Sequence, residues 1–161
     1  MIRYIIGDAT DPQGDGTKII AHCCNNIGAW GAGFVLALSK RWPEVETAYR
    51  ADFLMGGQVA LGDTKVYEVR RGLFVANMIA LNGIRGKSYI PLIYEALEEC
   101  LQKLALFATE EAMIFGPLPS IHMPRIGCGL AGGTWDEVGP IVERELADFD
   151  VTVYDLPGAK Q

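Results

Sequence analysis

Two short stretches of this chain combine glycine with the setting that holds anions. In GCGLAG, Gly127, Gly129 and Gly132 stand at the spacing G-x-G-x-x-G, after an apolar run and before a helical pattern. In NNIGAWGAGF, residues 25–34, glycines again lead from an apolar run into a helical one. Glycine lets backbone N–H groups approach a phosphate, and the helix that follows adds the positive end of its dipole. The same composition also serves a plain strand-to-helix turn, so both readings stand until the surrounding elements are placed.

Other candidates for chemistry are sparse. Cys23, Cys24, Cys100 and Cys128 have no zinc or redox spacing, and no acidic or histidine cluster completes a metal site. They read as buried free thiols, and neither metal nor cofactor is expected. His22 and His122 each fall in an apolar run, where a single histidine reads as a structural residue before it reads as a base or ligand. With 161 residues, half of them apolar, the chain suffices for one domain with a sizeable core. A net charge of −6 and a pI near 4.9 oppose a broad nucleic-acid footprint. A bound phosphate must then be held mainly by backbone dipoles. The opening MIRYIIGDAT has an apolar run too short for a signal peptide or membrane span, which gives the expectation of a cytoplasmic protein with no membrane contact.

The elements that position the glycine loops follow from periodicity. Runs at 3–7, 18–24, 64–69, 73–80, 120–126 and 151–156 read as strands, mostly as continuous apolar stretches of the kind buried on both faces of a sheet. Residues 32–41, 43–52, 90–108 and 134–148 carry helical spacing, with Pro43 and Pro91 suited to first turns and Thr134 or Asp136 to an N-cap. RRG at 70–72 joins its flanking strands as a hairpin, so the sheet is mixed. The expectation is a three-layer α/β/α sandwich with about six strands. It spans residues 1–157, with a tail at 158–161.

In an open α/β sheet, ligands sit at the carboxyl ends of the strands, where both glycine loops fall. A dinucleotide-binding dehydrogenase is one candidate, and Asp155 at the end of the last strand mimics its ribose-binding acid. Such an enzyme places G-x-G-x-x-G early, however, and here only one strand follows it.

A different family accounts for more of the chain. GDAT (Gly7–Thr10), AHCCNNIGAWGAGF (Ala21–Phe34) and MPRIGCGLAGG (Met123–Gly133) occur in the order and spacing of a macro domain, the ADP-ribose-binding fold. The last two, with YEALEECL at 94–101 and the ending VTVYDL, resemble most closely the subgroup of terminal ADP-ribose protein glycohydrolase and the DNA ADP-ribosyl glycohydrolases. The resemblance spans essentially the whole chain.

The resemblance implies a division of labour. Asp8 accepts a hydrogen bond from the adenine amine, with the Ala9 N–H beside it; a carboxylate only accepts, which suits an exocyclic amine. Asn25 contacts the distal ribose, and Asn26 either joins it or shapes the loop. Gly31, Ala32 and Gly33 form one wall around the diphosphate, and Gly127, Cys128, Gly129, Leu130 and Ala131 form the other. Trp30 and Phe34 flank the distal ribose or belong to the core. Tyr154 and Leu156 fall where the family lines its adenine pocket.

The subgroup's chemistry uses a lysine just after the central strand and an aspartate in the diphosphate loop. Here Ala131 takes the aspartate's place, and LNGIRGKSY offers Arg85 and Lys87 only further along, where solvated phosphate contacts are expected. The implied mechanism is therefore positional. Water held by the diphosphate and Asn25, the one catalytic candidate, attacks the anomeric carbon of an ADP-ribosyl ester on an acidic side chain. The expected partners are ADP-ribose and mono-ADP-ribosylated protein. A non-catalytic reader, or a hydrolase of ADP-ribose 1″-phosphate, O-acetyl-ADP-ribose or ADP-ribosylated nucleic acid, would use the same pocket.

Overall fold

Why the apolar runs become strands of one sheet is visible in their alternation. In the computed structural model, which describes residues 1–57, 59–86 and 89–159, the chain forms β1 (Ile2–Ile6), β2 (Lys18–Asn25), α1 (Phe34–Arg41), α2 (Pro43–Leu54), β3 (Thr64–Arg70), β4 (Leu73–Leu81), α3 (Tyr94–Phe115), β5 (Ser120–Met123), α4 (Trp135–Glu145) and β6 (Val151–Asp155). The strands lie in the order β1-β6-β5-β2-β4-β3. Every neighbouring pair is parallel except β3 with β4, which form the expected hairpin.

Successive residues of a strand face opposite sides of the sheet, and both sides are covered. Ile19, Ala21, Met78, Ile121, Met123 and Val153 join Leu97, Leu101 and Leu104 of α3 and Val138 and Val142 of α4 in one apolar cluster. Ile20, Cys24, Val75 and Ile79 meet Leu38 of α1 and Val45 and Tyr49 of α2 in a second. The result is the three-layer α/β/α sandwich, with a mixed six-stranded sheet as its middle layer.

Four boundaries differ from the periodic reading by three residues or more. The β5 strand stops at Met123 because Pro124 has no N–H for the ladder, and the Ile126 N–H turns back to the Pro124 carbonyl at 2.8 Å. The third helix runs from Tyr94 to Phe115 rather than from 90 to 108, and Pro91 lies outside its first turn. The Pro91 carbonyl instead accepts from the Asn82 N–H at 2.8 Å, which pairs the described arms 82–86 and 89–91 of a flap. The last helix ends at Glu145, three residues early.

Beneath the α1/α2 layer the sheet carries a buried polar set. His22 and His122 are both almost fully buried. His22 Nε2 is hydrogen-bonded to Asn77 Oδ1. His122 bonds Ser120 Oγ (2.8 Å) through Nε2 and the Tyr154 hydroxyl (2.7 Å) through Nδ1, and that hydroxyl accepts from the Gln13 N–H at 2.9 Å. One proton assignment satisfies this chain: Tyr154 donates to Nδ1 and Nε2–H donates to Ser120. Burial disfavours the imidazolium form and lowers both histidines to about 4.

A pH prediction follows with a definite sign. The unfolded chain takes up these two protons near pH 6.5 and the folded chain only near 4, so stability is full above 6.5 and declines as pH falls between those values. Thermal unfolding followed by circular dichroism should show the midpoint dropping across that window. A midpoint constant from pH 6.5 to 4 would contradict the neutral buried histidines.

Candidate functional site

Five strands run parallel, so their carboxyl ends and the loops that leave them gather on one rim of the sheet. Between these loops lie two adjoining chambers. One, of about 320 Å³, is lined by His22, Gly33, Phe34, Arg125, Gly127 and Gly129 among others. The other, of about 340 Å³, is lined by Asn25, Gly31, Gly83, Ile84, Arg85 and Pro91. Ala32, Leu81, Leu130 and Ala131 border both, which makes them one groove.

The two glycine loops supply its walls through their backbones. Among the described hydrogen bonds, the N–H groups of Gly31 to Val35 on one loop and Gly129 to Ala131 on the other have no partner within the protein. The first set ends in the uncapped N-terminus of α1, whose N-cap is Gly33 and whose first turn holds no acidic residue. The first turns of α2, α3 and α4 each carry acid. Lys40 and Arg41 sit in the last turn of α1, where they complement its dipole. This end of the groove is electropositive without using a side chain.

The glycines do different jobs. Gly33, Gly127 and Gly132 have φ of 80°, 71° and 80°, a region that L side chains rarely adopt. At Gly127 a Cβ would also stand 2.9 Å from Leu92, and at Gly132 the same distance from Ile90. These three shape the loops. Gly31 and Gly129 have no such φ, and a Cβ at either would meet nothing within 4 Å. Their backbones would tolerate a side chain, but the groove would not stay open.

The structure separates the other sequence-predicted residues into those that face the groove and those that build it. Phe34 lines it and packs against His22 with centroids 5.7 Å apart. Cys128 stands in the loop with its thiol donating to the Ile126 carbonyl at 3.3 Å, and burial pushes its pKa up to about 11. Its N–H donates to the Arg125 carbonyl at 3.3 Å and it lines neither chamber, so it shapes the loop rather than facing the groove. Asn25 lines the far chamber, but most of its amide is committed: Oδ1 accepts from the Ile27 N–H (3.1 Å), the Ala29 N–H (3.0 Å) and the Tyr49 hydroxyl (2.8 Å), while Nδ2 donates to the Ala29 carbonyl (2.7 Å). One N–H of Nδ2 is left. Asn26 is a clamp, donating to Asn82 Oδ1 at 3.1 Å and accepting from the Gly83 N–H at 2.9 Å, so that it ties the flap to the first glycine loop.

Trp30 is core: it is buried against Tyr49 at 5.0 Å and its Nε1–H donates to Ser39 Oγ at 2.6 Å. Tyr154 is likewise buried, in the hydrogen-bonded chain with His122 and Gln13. Neither side chain lines the groove. Asp8 and the buried Ala9 lie at the end of β1, outside both chambers. Asp8 Oδ1 accepts from the N–H and hydroxyl of Thr10 at 2.8 and 2.7 Å, and Oδ2 stands 3.9 Å from Arg41. Leu156, just past β6, is exposed. Lys87 lies outside the described residues.

Arg125 is a residue whose role periodicity did not suggest. It grips Asp155 with two bonds of 2.7 and 2.8 Å, and its guanidinium lies over the rings of Tyr4 and Trp135 at 5.2 and 5.4 Å. The hydrogen bond from Arg125 holds the Asp155 carboxyl below its usual range. Asp155 is thus occupied in fastening the second glycine loop to β6, and the ribose-binding part that a dinucleotide fingerprint would give it is already taken. No group of three or more metal-ligating side chains occurs among the described residues, and none of their helices is long and apolar enough to cross a membrane.

A parallel-ended α/β/α sheet with an anion-receptive groove between two glycine loops defines the class of protein. No family model matches the chain. Its relatives do. A macrodomain protein from Streptomyces coelicolor is 43% identical, with 96% of this chain and 99% of that one covered and a TM-score of 0.82. A protein of unknown function from Bacteroides thetaiotaomicron is 47% identical over 97% and 98% of the two chains, with a TM-score of 0.90. The human ADP-ribose glycohydrolase OARD1 is 28% identical over 158 residues, 96% of this chain and 91% of its own. The chain belongs to the macro domain family.

The clamp at Asn25 is testable by stability. Asn25→Ala removes the acceptor shared by two loop amides and the donor to Ala29, and should cost about 2–4 kcal/mol in denaturant unfolding. A loss near zero would mean that the loop holds its shape without the side chain.

Proposed function

We propose that the groove binds ADP-ribose and that the protein is a hydrolase releasing mono-ADP-ribose from acidic side chains of modified proteins. The observation that carries the first half is the pair Gly31 and Gly129. Each lacks a conformational or packing reason to be glycine, each stands on one of the two loops, and each is flanked by unclaimed N–H donors. Bare backbone facing open space from both loops suits a ligand with a diphosphate at its middle.

In this reading the diphosphate lies at the α1 N-terminus between the loops. Adenine extends toward Asp8, Ala9 and Leu156, with Asp8 Oδ2 accepting from its amine. The distal ribose enters the far chamber, where the remaining Nδ2–H of Asn25 meets a hydroxyl or the attacking water. OARD1's name, an ADP-ribose glycohydrolase, supports cleavage at that ribose. Catalysis here would rest on orientation and on N–H groups fixed before the reaction begins.

A second reading is favoured by one observation. Neither chamber is lined by an aspartate or glutamate, and His22, which is, stays neutral with Nε2 engaged by Asn77. A groove without a ready base suits a module that binds ADP-ribosylated protein and leaves it intact.

Calorimetric titration with ADP-ribose should give micromolar binding, roughly −7 to −9 kcal/mol. Gly129→Val should abolish it while leaving the unfolding midpoint near that of the wild type, because the new side chain enters the groove and not the core. Asp8→Asn keeps an acceptor for Thr10 but replaces the free carboxylate oxygen, and should weaken ADP-ribose by about 1–3 kcal/mol. No heat at millimolar ligand would remove the reading. Binding without release of ADP-ribose from a glutamate-linked substrate would select the second one.

A further inference from the structure

Two arginines line the groove, and only one is spoken for. Arg125 is neutralised by its two bonds to Asp155 and covered by Tyr4 and Trp135. Arg85 lines the far chamber, and among the described ion pairs it has no carboxylate partner. Among the described residues no other lysine or arginine borders that chamber. In a chain with a net charge of −6, a cation on a chamber wall without a carboxylate partner among the described residues calls for a reason.

Its position is built rather than incidental. Arg85 stands on the flap, whose base is closed by the Leu81–Leu92 bridge and the Asn82 N–H to Pro91 carbonyl bond, and whose upper part is closed by the Gly86–Tyr89 bridge. The Tyr89 hydroxyl donates to the Asn82 carbonyl at 2.6 Å, and Asn26 holds Gly83. The unclaimed N–H groups of Gly33 to Val35 and of Gly129 border the other chamber alone, those of Ala32, Leu130 and Ala131 border both, and that of Gly31 borders this one; with the diphosphate seated at the α1 N-terminus, Arg85 stands on the side of the distal ribose.

We infer that Arg85 is the electrostatic partner of the carboxylate that departs when the ester bond at the distal ribose breaks, an inference that rests on the hydrolase reading above. The water oxygen forms the new bond to the anomeric carbon. The bond from that carbon to the side-chain oxygen breaks, and its electron pair stays on that oxygen. Water's surplus proton goes to solvent, and the products are ADP-ribose and a free side-chain carboxylate. The ester is neutral in the bound substrate, whereas the leaving group is anionic. A guanidinium beside it therefore meets full charge only as the bond lengthens, which accelerates the reaction without tightening substrate binding. The fork of Arg85 also matches the two oxygens of a carboxylate.

The test measures release of ADP-ribose from a peptide carrying one glutamate-linked ADP-ribose, with calorimetry of ADP-ribose on the same samples. Arg85→Gln should lower kcat roughly 10- to 100-fold, below the full range of a buried oxyanion donor because the side chain is exposed. KM and ADP-ribose affinity should stay unchanged, and Arg85→Lys should restore most of the rate. The defect should shrink for esters of more acidic carboxyl groups, whose departure needs less help. Wild-type kcat in Arg85→Gln overturns the role and leaves the hydrolase reading standing. A matching loss of ADP-ribose affinity also overturns it, making Arg85 a ground-state phosphate contact. A wild type that binds ADP-ribose but releases none removes both the hydrolase reading and this role.

Discussion

The arrangement of the groove depends on one buried amide. Asn25 closes β2, and its side chain gathers the Ile27 and Ala29 amides, the Ala29 carbonyl and the Tyr49 hydroxyl into a single knot. The knot forces the chain to double back before Trp30, whose indole is then locked between Tyr49 and Ser39. From Trp30 the chain has only Gly31–Gly33 before α1 begins, so the helix N-terminus is set by how the amide folds the loop behind it. Exchanging water for four polar contacts inside the protein is worth little per bond, but leaving any of them unmade in a buried place is costly. That asymmetry, rather than the strength of any single bond, keeps the unclaimed N–H groups pointing outward.

The opposite wall is held by different means. Its loop is closed on itself by Gly133 N–H to the Gly127 carbonyl at 2.8 Å, packed on Leu92 and Ile90 of the flap, and fastened to β6 by Arg125 and Asp155. Asn26 joins the flap to the first wall. The three loops that frame the far chamber are thus braced against one another, and the groove is a shape prepared before a ligand arrives. Prepared donors lose little freedom on binding, which is how a protein with an acidic balance can hold an anion.

How much of this was legible in the sequence depends on which force set it. Strand positions followed from apolar runs, because a strand covered on both faces leaves room only for polar side chains that find partners, as His22 and Asn77 do in each other: KIIAHCC at 18–24 and LFVANMIA at 73–80 lie within β2 and β4. The glycine loops were legible as strand-to-helix loops at one rim of the sheet, where they wall the groove. Within them, however, sequence could not tell Gly127, kept for its backbone angle, from Gly129, kept for empty space. Trp30 and Tyr154 illustrate the harder case. Trp30 sits between the groove residues Ala29 and Gly31, and Tyr154 beside the Asp155 that fastens a groove loop, and only the three-dimensional partners Ser39 and His122 reveal that both are turned into the protein. The misplaced start of α3 has the same origin: Pro91 fits a first helical turn as well as it fits a flap, and the bond from Asn82 decides.

The central claim is that backbone N–H groups of two loops form the receptor for ADP-ribose, and amide-resolved nuclear magnetic resonance tests it most directly. Titration of nitrogen-15-labelled protein with ADP-ribose should move the amide signals of Gly31 to Val35 and Gly129 to Ala131 most, with saturation at one ligand per chain, while amides of the distant β3–β4 hairpin stay fixed. Saturable shifts that spare both loops, or an unaltered spectrum at millimolar ligand, would contradict it.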